Sequence, residues 1–190
     1  MESRKGHKMA KFETAKIVKI ESIGEGSRVC LDFIDRLDPL EGVLIGNTGS
    51  GYLMALSENR STETYPPRPF RINAGAYHHY LLLEDEKTGY LAEMKPGMRV
   101  PVWFNGEPRF VPIGRVKIEK RPFLRIVCQT ETTGDEISVT VQEADSVHLL
   151  SADQTAKSVI ELELGDKLIC LPDQPGRHLG KKIDEEIEEM

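Results

Sequence analysis

No stretch of this sequence is apolar over anything like the roughly 20 residues that a membrane helix requires. The opening Met1-Glu2-Ser3-Arg4-Lys5-Gly6-His7-Lys8 is basic with no apolar segment behind it. No membrane partner and no secretory signal are therefore expected, and the chain reads as cytoplasmic. Cysteine is scarce: Cys30, Cys128 and Cys170 are far apart, odd in number, and each sits inside an apolar run. Buried free thiols are expected, without a disulfide framework and without zinc-site spacing. Positive charge is in deficit, with 25 Lys and Arg against 31 Asp and Glu and a net charge of −6. Such a surface repels phosphate backbones, so nucleic acid is not an expected partner. Helical periodicity is missing as well, since no twelve-residue window repeats convincingly at 3.6.

What is present is period-2 alternation. Val29, Leu31 and Phe33 alternate with Arg28, Cys30 and Asp32; Val116 and Ile118 with Arg115, Lys117 and Glu119; Ile137, Val139 and Val141 with Glu136, Ser138 and Thr140. These are half-buried strands with one wet face. Turn signals punctuate them at Gly24-Glu25-Gly26, Glu41-Gly42, Lys95-Pro96-Gly97, Asn105-Gly106, Thr133-Gly134-Asp135 and Leu164-Gly165-Asp166. Asn105-Gly106, between Val102-Trp103-Phe104 and Arg109-Phe110-Val111, is the strongest hairpin signal. Leu91–Val100 echoes Val159–Leu168: an apolar pair, a Gly turn, then a strand. The expected fold is all-β, with antiparallel strands in two small barrel-like or sandwich units. The expected boundaries are a disordered extension over 1–13, a first unit over 14–86 and a second over 87–190. The acidic tail from Lys181 reads as a last strand or a frayed helix, its charges facing solvent.

Candidate chemistry concentrates between Arg68 and His79. Pro66, Pro67 and Pro69 stiffen the segment, Gly75 permits a bend, and Arg71 and Asn73 share one side of an extended chain. Arginine suits a carboxylate, gripping it through two N–H groups. His78 can pass protons near neutral pH. His78 and His79, being adjacent, point to opposite faces, so at most one enters a site and the pair is a poor metal clamp. The loop Gly46-Asn47-Thr48-Gly49-Ser50-Gly51 can bring backbone N–H groups to an anion. It lacks the ending of a phosphate-binding P-loop and the strand–helix setting of a dinucleotide fingerprint. Glu58 and His178 are candidates to complete a metal or acid–base cluster. Lys117, Lys120 and Arg121 read as an exposed basic strand.

The run Arg68-Pro-Phe-Arg-Ile-Asn-Ala-Gly75, followed by His78 and Tyr80, resembles the signature of the type II (archaeal-type) 3-dehydroquinate synthase family. That family also includes aminohydroxybenzoate synthases. Further stretches agree in order: Gly46 with Gly51 and Ser57-Glu58; Thr88 with Tyr90-Leu91; Gly114 through Glu119 with Arg121-Pro122; Glu136-Ile-Ser-Val139; and Gly176-Arg-His with Gly180. The likeness runs from Lys16 to Ile187 and is to the C-terminal portion. Members carry an N-terminal domain of comparable size, so a separately encoded N-terminal synthase domain is an expected partner. Ser50 stands where the pattern has Arg, and Leu56 where it has His.

The resemblance implies a reaction of shikimate-type aromatic biosynthesis. An amino-heptulosonate undergoes NAD-linked oxidative deamination, and an intramolecular aldol closes the ring to 3-dehydroquinate. Aminohydroxybenzoate synthases instead use a divalent metal such as Mn²⁺. NAD, and in the second case a metal, are thus the implied cofactors, and a small carboxylate the implied substrate. Residue chemistry then assigns Arg68 and Arg71 to anchoring the carboxylate, His78 with Glu58 to proton transfer, and Asn73 or Lys117 to polarising a carbonyl. Gly49 and Gly51 line the substrate. The other reading is a non-catalytic small-acid-binding or assembly module derived from the synthase C-terminal domain, which the changes at Ser50 and Leu56 favour. Metal ligands and oligomeric state, a homo-oligomer included, stay open.

Overall fold

Alternation along one very long strand organises the molecule. In β1 (Glu13–Phe33), Val29, Leu31 and Phe33 enter the core, while Arg28, Cys30 and Asp32 take the other face. The structure, a computed structural model, describes residues 11–175, 177–178, 181–182 and 186–190. Most of the extension expected over 1–13 lies outside the described residues, and Glu13 already opens β1. The remaining strands are β2 (Gly42–Gly46), β3 (Gly51–Glu58), β4 (Arg68–Ala76), β5 (Tyr80–Leu82), β6 (Thr88–Tyr90), β7 (Arg99–Phe104) and β8 (Glu107–Thr130). After them come β9 (Glu136–Gln142), β10 (His148–Leu150), β11 (Ala156–Ser158), β12 (Lys167–Pro172), β13 (Arg177–His178) and β14 (Lys181–Lys182). Three single-turn 3₁₀ helices are the only helical elements among the described residues, and none is long and apolar enough to cross a membrane.

All pairings are antiparallel, as an alternating dry and wet pattern favours. From β1, hydrogen-bonded neighbours lead through β4, β3, β2, β7 and β8 and back to β1, a ring-like arrangement. β1 and β8 pair from Ala15 with Thr130 to Phe33 with Ile113, so chain on both sides of residues 86 and 87 is knitted into one sheet. The second half of β8 carries β9. Inside lies the main core, which includes Val29, Leu31, Ile126, Ile137, Val139 and Val141. Each such side chain, fully buried, contributes about 1.5–3 kcal/mol. A smaller cluster of Leu44, Tyr52, Met54, Leu56, Trp103 and Ile169 forms on the far side of β2 and β3, which are therefore buried on both faces.

The turn signals fared unevenly. Asn105 (φ 53°) and Gly106 (φ 83°) both adopt the left-handed backbone that a tight hairpin needs, joining β7 to β8 at Phe104 and Glu107. The echo of Leu91–Val100 in Val159–Leu168 is architectural: each is a 3₁₀ turn, a glycine at φ 92°, and a strand, β7 or β12. Gly24-Glu25-Gly26 is not a turn. β1 runs through it with a register shift between Ser22 and Gly24, because β8 continues alongside and supplies partners throughout. Ile118, expected on a dry face, is 49% exposed, since this part of β8 borders solvent.

Candidate functional site

Three neighbouring strands stack their polar faces into rows. β1 lies between β8 and β4, so Asp32 is flanked by Arg115 and Arg71, and Cys30 by Lys117 and Asn73. Arg28 is flanked by Glu119 and Ala76. Asp32 accepts from Arg71 Nε at 2.7 Å and Nη2 at 3.1 Å, and from Arg115 Nε at 2.7 Å. Burial alone would raise the Asp32 carboxyl, but hydrogen bonds and charge from Arg71 and Arg115 outweigh it and hold it below the usual carboxylate range. Arg28 donates through Nη2 to Glu119 at 2.9 Å and through Nη1 to Gln142 Oε1 at 2.5 Å. Asn73 Nδ2 donates to that same Gln142 oxygen at 2.9 Å.

Arg68 Nη2 lies 2.7 Å from Glu58 Oε1 without the alignment of a hydrogen bond, and its guanidinium covers the Tyr65 ring at 4.2 Å. Burial pushes the Glu58 carboxyl up, against the pull of Arg68, Arg71 and Arg28. Lys117 and Arg121 both pair with Glu119. Six cationic side chains thus meet three carboxylates here, a local positive excess in a chain of net charge −6. Such a patch favours anions. A depression of about 570 Å³ borders it, lined by Asp32, Asp35, Arg36, Pro69, Phe70 and Arg115 among others. The Cys30 thiol is pushed up to about 11, chiefly by burial, and Cys128 and Cys170 to about 12, so all three are buried free thiols rather than nucleophiles.

The bend after β4 makes the other end of the site. Gly75 has φ 91°, and a Cβ there would stand 2.6 Å from Thr140 O and 2.7 Å from His79 Cε1. Only glycine lets the chain pass so close. Beyond it a turn, not a strand, carries the two histidines, so the expected opposite faces are not seen: their rings lie side by side with centroids 5.4 Å apart. His79 is fully buried, with Nδ1 at 2.9 Å from Ala74 O and Nε2 accepting the Thr140 N–H at 2.8 Å. Nδ1 is therefore the protonated nitrogen. His78 is exposed, and its Nε2 lies 2.8 Å from Asn47 Oδ1. That oxygen also accepts from Thr140 Oγ1 at 2.9 Å, while Asn47 Nδ2 donates to Ser138 Oγ at 3.1 Å. With this amide orientation His78 carries its proton on Nε2 and keeps a lone pair on Nδ1. Although the residue as a whole is exposed, partial desolvation of its ring lowers the pKa below the ordinary histidine value, which favours the neutral form.

β9 joins the two ends. Ile137, Val139 and Val141 face the core, so Ser138, Thr140 and Gln142 form a polar row with Asn47 and His78 at one end and Asn73 and Arg28 at the other. Within that buried row Asn73 Oδ1 and Arg28 Nε have no partner. A buried polar group left without a partner costs about 1–3 kcal/mol.

His79 supports a pH prediction. Burial drives its pKa down to about 3, so at mildly acidic pH the unfolded chain binds a proton that the folded chain refuses. Stability present above the unfolded value near 6.5 is lost as pH falls, by about 2 kcal/mol at pH 5. Urea unfolding at pH 7 and pH 5 should show this loss. In His79→Gln the difference between the two pH values should shrink by about the same amount.

Of the sequence-based candidates, Asn73 and His78 reach the β9 row. Arg71 shares the outer face with Asn73 but is spent on Asp32, and Arg68 lies against Glu58. Glu58 has no contact with His78; it sits among the arginines. Lys117 pairs with Glu119 at 3.3 Å. Gly51 abuts the core, since a Cβ there would lie 2.4 Å from Ile137 Cδ1, and Gly49 meets Glu189. The side chain of His178 lies outside the described residues, and among those described no three His, Cys, Asp or Glu gather as a metal site. Arg28, Gln142, Asn47 and Thr140 were missed as site residues. Their only signal was a place on the wet face of an alternating strand or in the Gly-rich loop.

An implied dinucleotide does not fit the Gly-rich loop. The loop joins two antiparallel strands with no helix behind it, and the Cβ space at Gly46 is filled by Gly51 O at 2.4 Å. Those glycines let the chain pack on itself, not on a pyrophosphate. Leu56, in the position where the family pattern has His, is buried in the smaller cluster.

Residues 14–190 match the family model of the 3-dehydroquinate synthase II C-terminal domain. A 3-dehydroquinate synthase of Methanococcus maripaludis is 38% identical over 185 residues, covering 97% of this chain and 51% of that protein. The 3-dehydroquinate synthase of Archaeoglobus fulgidus is 41% identical over 176 residues, covering 92% and 54%. A 3-dehydroquinate synthase homolog of Aquifex aeolicus is 39% identical over 175 residues, covering 92% and 52%. The chain spans about half the length of the curated relatives it matches. No solved structure matches it. By the span of the family match and the identity of these relatives, the chain belongs to the 3-dehydroquinate synthase II family, where it corresponds to the C-terminal domain.

Proposed function

We propose that this chain binds the substrate acid and moves the proton in a 3-dehydroquinate synthase II-type reaction of aromatic biosynthesis. The reaction is the NAD-linked oxidative deamination of an amino-heptulosonate followed by aldol ring closure. The polar row on β9 carries this reading, because it places a buried unpartnered donor and acceptor at one end and an imidazole lone pair at the other. Arg28 Nε–H suits a carboxylate oxygen, and Asn73 Oδ1 suits the neighbouring ammonium, so the pair complements an α-amino acid head. Gln142 and Thr140 are two residues apart, about 7 Å along the strand, which is the reach of an extended seven-carbon acid. At the far end His78 Nδ1 takes the carbon-bound proton that enolate formation releases, and returns it to the alkoxide that the aldol creates. NAD, when bound, would accept the hydride.

The test mixes the chain with NAD⁺ and the amino-heptulosonate, alone and with the N-terminal half of a relative as a separate polypeptide, and follows NADH absorbance. Arg28→Lys keeps the charge but loses the Nε–H, and should raise KM about tenfold to a hundredfold with a smaller change in kcat. Absence of NADH in both mixtures would remove the catalytic reading. It would leave the non-catalytic acid-binding module, which the internal pairing of Arg68 and Arg71 favours.

A further inference from the structure

One carboxylate is already seated against the Gly-rich loop. Glu189 Oε1 accepts the Gly49 N–H at 2.7 Å, and its Oε2 accepts the Tyr80 hydroxyl at 3.1 Å. Both donors are held by groups other than the tail. Tyr80 pairs with Tyr90 across β5 and β6 and stacks on its ring at 5.3 Å. The loop is fixed by Asn47 N–H to Ser138 O at 2.8 Å, Ser50 N–H to Thr48 Oγ1 at 3.2 Å, and Asp173 N–H to Ser50 O at 2.8 Å. Gly49 leaves room for the bound group, since a Cβ there would crowd Glu189 Oε1 at 3.1 Å and Pro175 Cα at 3.2 Å. Donors fixed in advance are what an oxyanion subsite requires.

We propose that the Gly49 amide and the Tyr80 hydroxyl form a subsite for a small carboxylate, and that Glu189 fills it as an intramolecular competitor. The subsite adjoins the proton-transfer end of the β9 row, because Asn47, two residues before Gly49, is the partner of His78. It deepens the assignment of Gly49 to ligand binding but rests on the seated carboxylate, not on the reaction proposed above. A ligand therefore has to displace the tail. A tethered carboxylate competes at an effective concentration in the millimolar range, so an external acid binds weakly until Glu189 is removed.

The experiment titrates glycolate into the ¹⁵N-labelled chain and follows the Gly49 amide resonance, in the parent, in Glu189→Gln and in Glu189→Gln with Tyr80→Phe. The parent should respond weakly, Glu189→Gln should bind about tenfold more tightly, and the double variant should lose that gain. Binding is read without turnover, so failure of the reaction proposed above leaves this result intact, and the reverse holds too. A Gly49 amide that is silent in Glu189→Gln, equally responsive in the parent, or undiminished in the double variant overturns the subsite. So does a Glu189→Gln chain melting more than about 5 °C below the parent, because the tail contact is then a structural strut.

Discussion

Replacing Asp32 by alanine should lower the melting temperature by roughly 10 °C while leaving the far side of the ring intact. Asp32 is 3% exposed and takes both hydrogen bonds of Arg71, whose side chain is 11% exposed. Without the carboxylate the Arg71 cation stays buried with nothing of opposite charge beside it but Glu58, which already serves Arg68. Breaking such a pair from one side costs about 3–5 kcal/mol. For a chain of this length that is some 2–4 °C per kcal/mol. Arg115 reaches the same carboxylate, but its side chain is 63% exposed and water replaces the lost bond. Arg115→Ala should therefore cost less than about 1 kcal/mol. The sign of the pH dependence follows from the depressed Asp32 carboxyl. Its contribution is present above the unfolded pKa and is lost as pH falls through the lower folded value. Asp32→Ala should accordingly show a shallower acid limb in thermal melts. A melting temperature within a few degrees of the parent would mean that the Arg71–Asp32 pair is not what holds β4 to β1.

How much of this was legible depends on whether a feature is local. The alternation of Ile137, Val139 and Val141 with Ser138 and Thr140 fixes which side chains of β9 go inward, because successive residues on a strand must oppose. Asn105-Gly106 could likewise only be a tight turn, whereas His78 and His79 miss their expected opposite faces because a turn carries them and leaves their rings 5.4 Å apart. What alternation leaves unstated is which strand lies next door. Arg28 and Gln142 are 114 positions apart, and Arg71 and Asp32 are 39 apart. Their meeting depends on the register of β1 against β4 and of β8 against β9. For the same reason Gly24-Glu25-Gly26 looked like a turn, since nothing local announces that β8 will run alongside and absorb it as a bulge. The family was legible in its motifs. The distribution of roles within them was not, because Arg68 and Arg71 look like ligand arginines until Glu58 and Asp32 are placed beside them.

With the chain assembled in the active mixture, His78→Gln should reduce kcat by about 10²–10⁴ with KM nearly unchanged. That loss is about 3–5 kcal/mol of barrier. Glutamine can still donate to Asn47 Oδ1, so the Thr140–Asn47 arrangement persists, but no basic nitrogen remains. The fold has little stake in the substitution, because His78 is exposed on a turn and the buried partner of Thr140 N–H is His79. The pH profile separates proton transfer from mere positioning. Partial desolvation of the ring keeps the His78 pKa below its ordinary value, so in the parent kcat should rise through that lowered value and then level off; in His78→Gln this rise should vanish. Asn47→Ala should retain the rise, because the imidazole remains, but lower kcat by a smaller factor as the ring loses its fixed orientation. If His78→Gln instead turns over within about threefold of the parent, with the acid limb intact, the base lies elsewhere and the β9 row only binds.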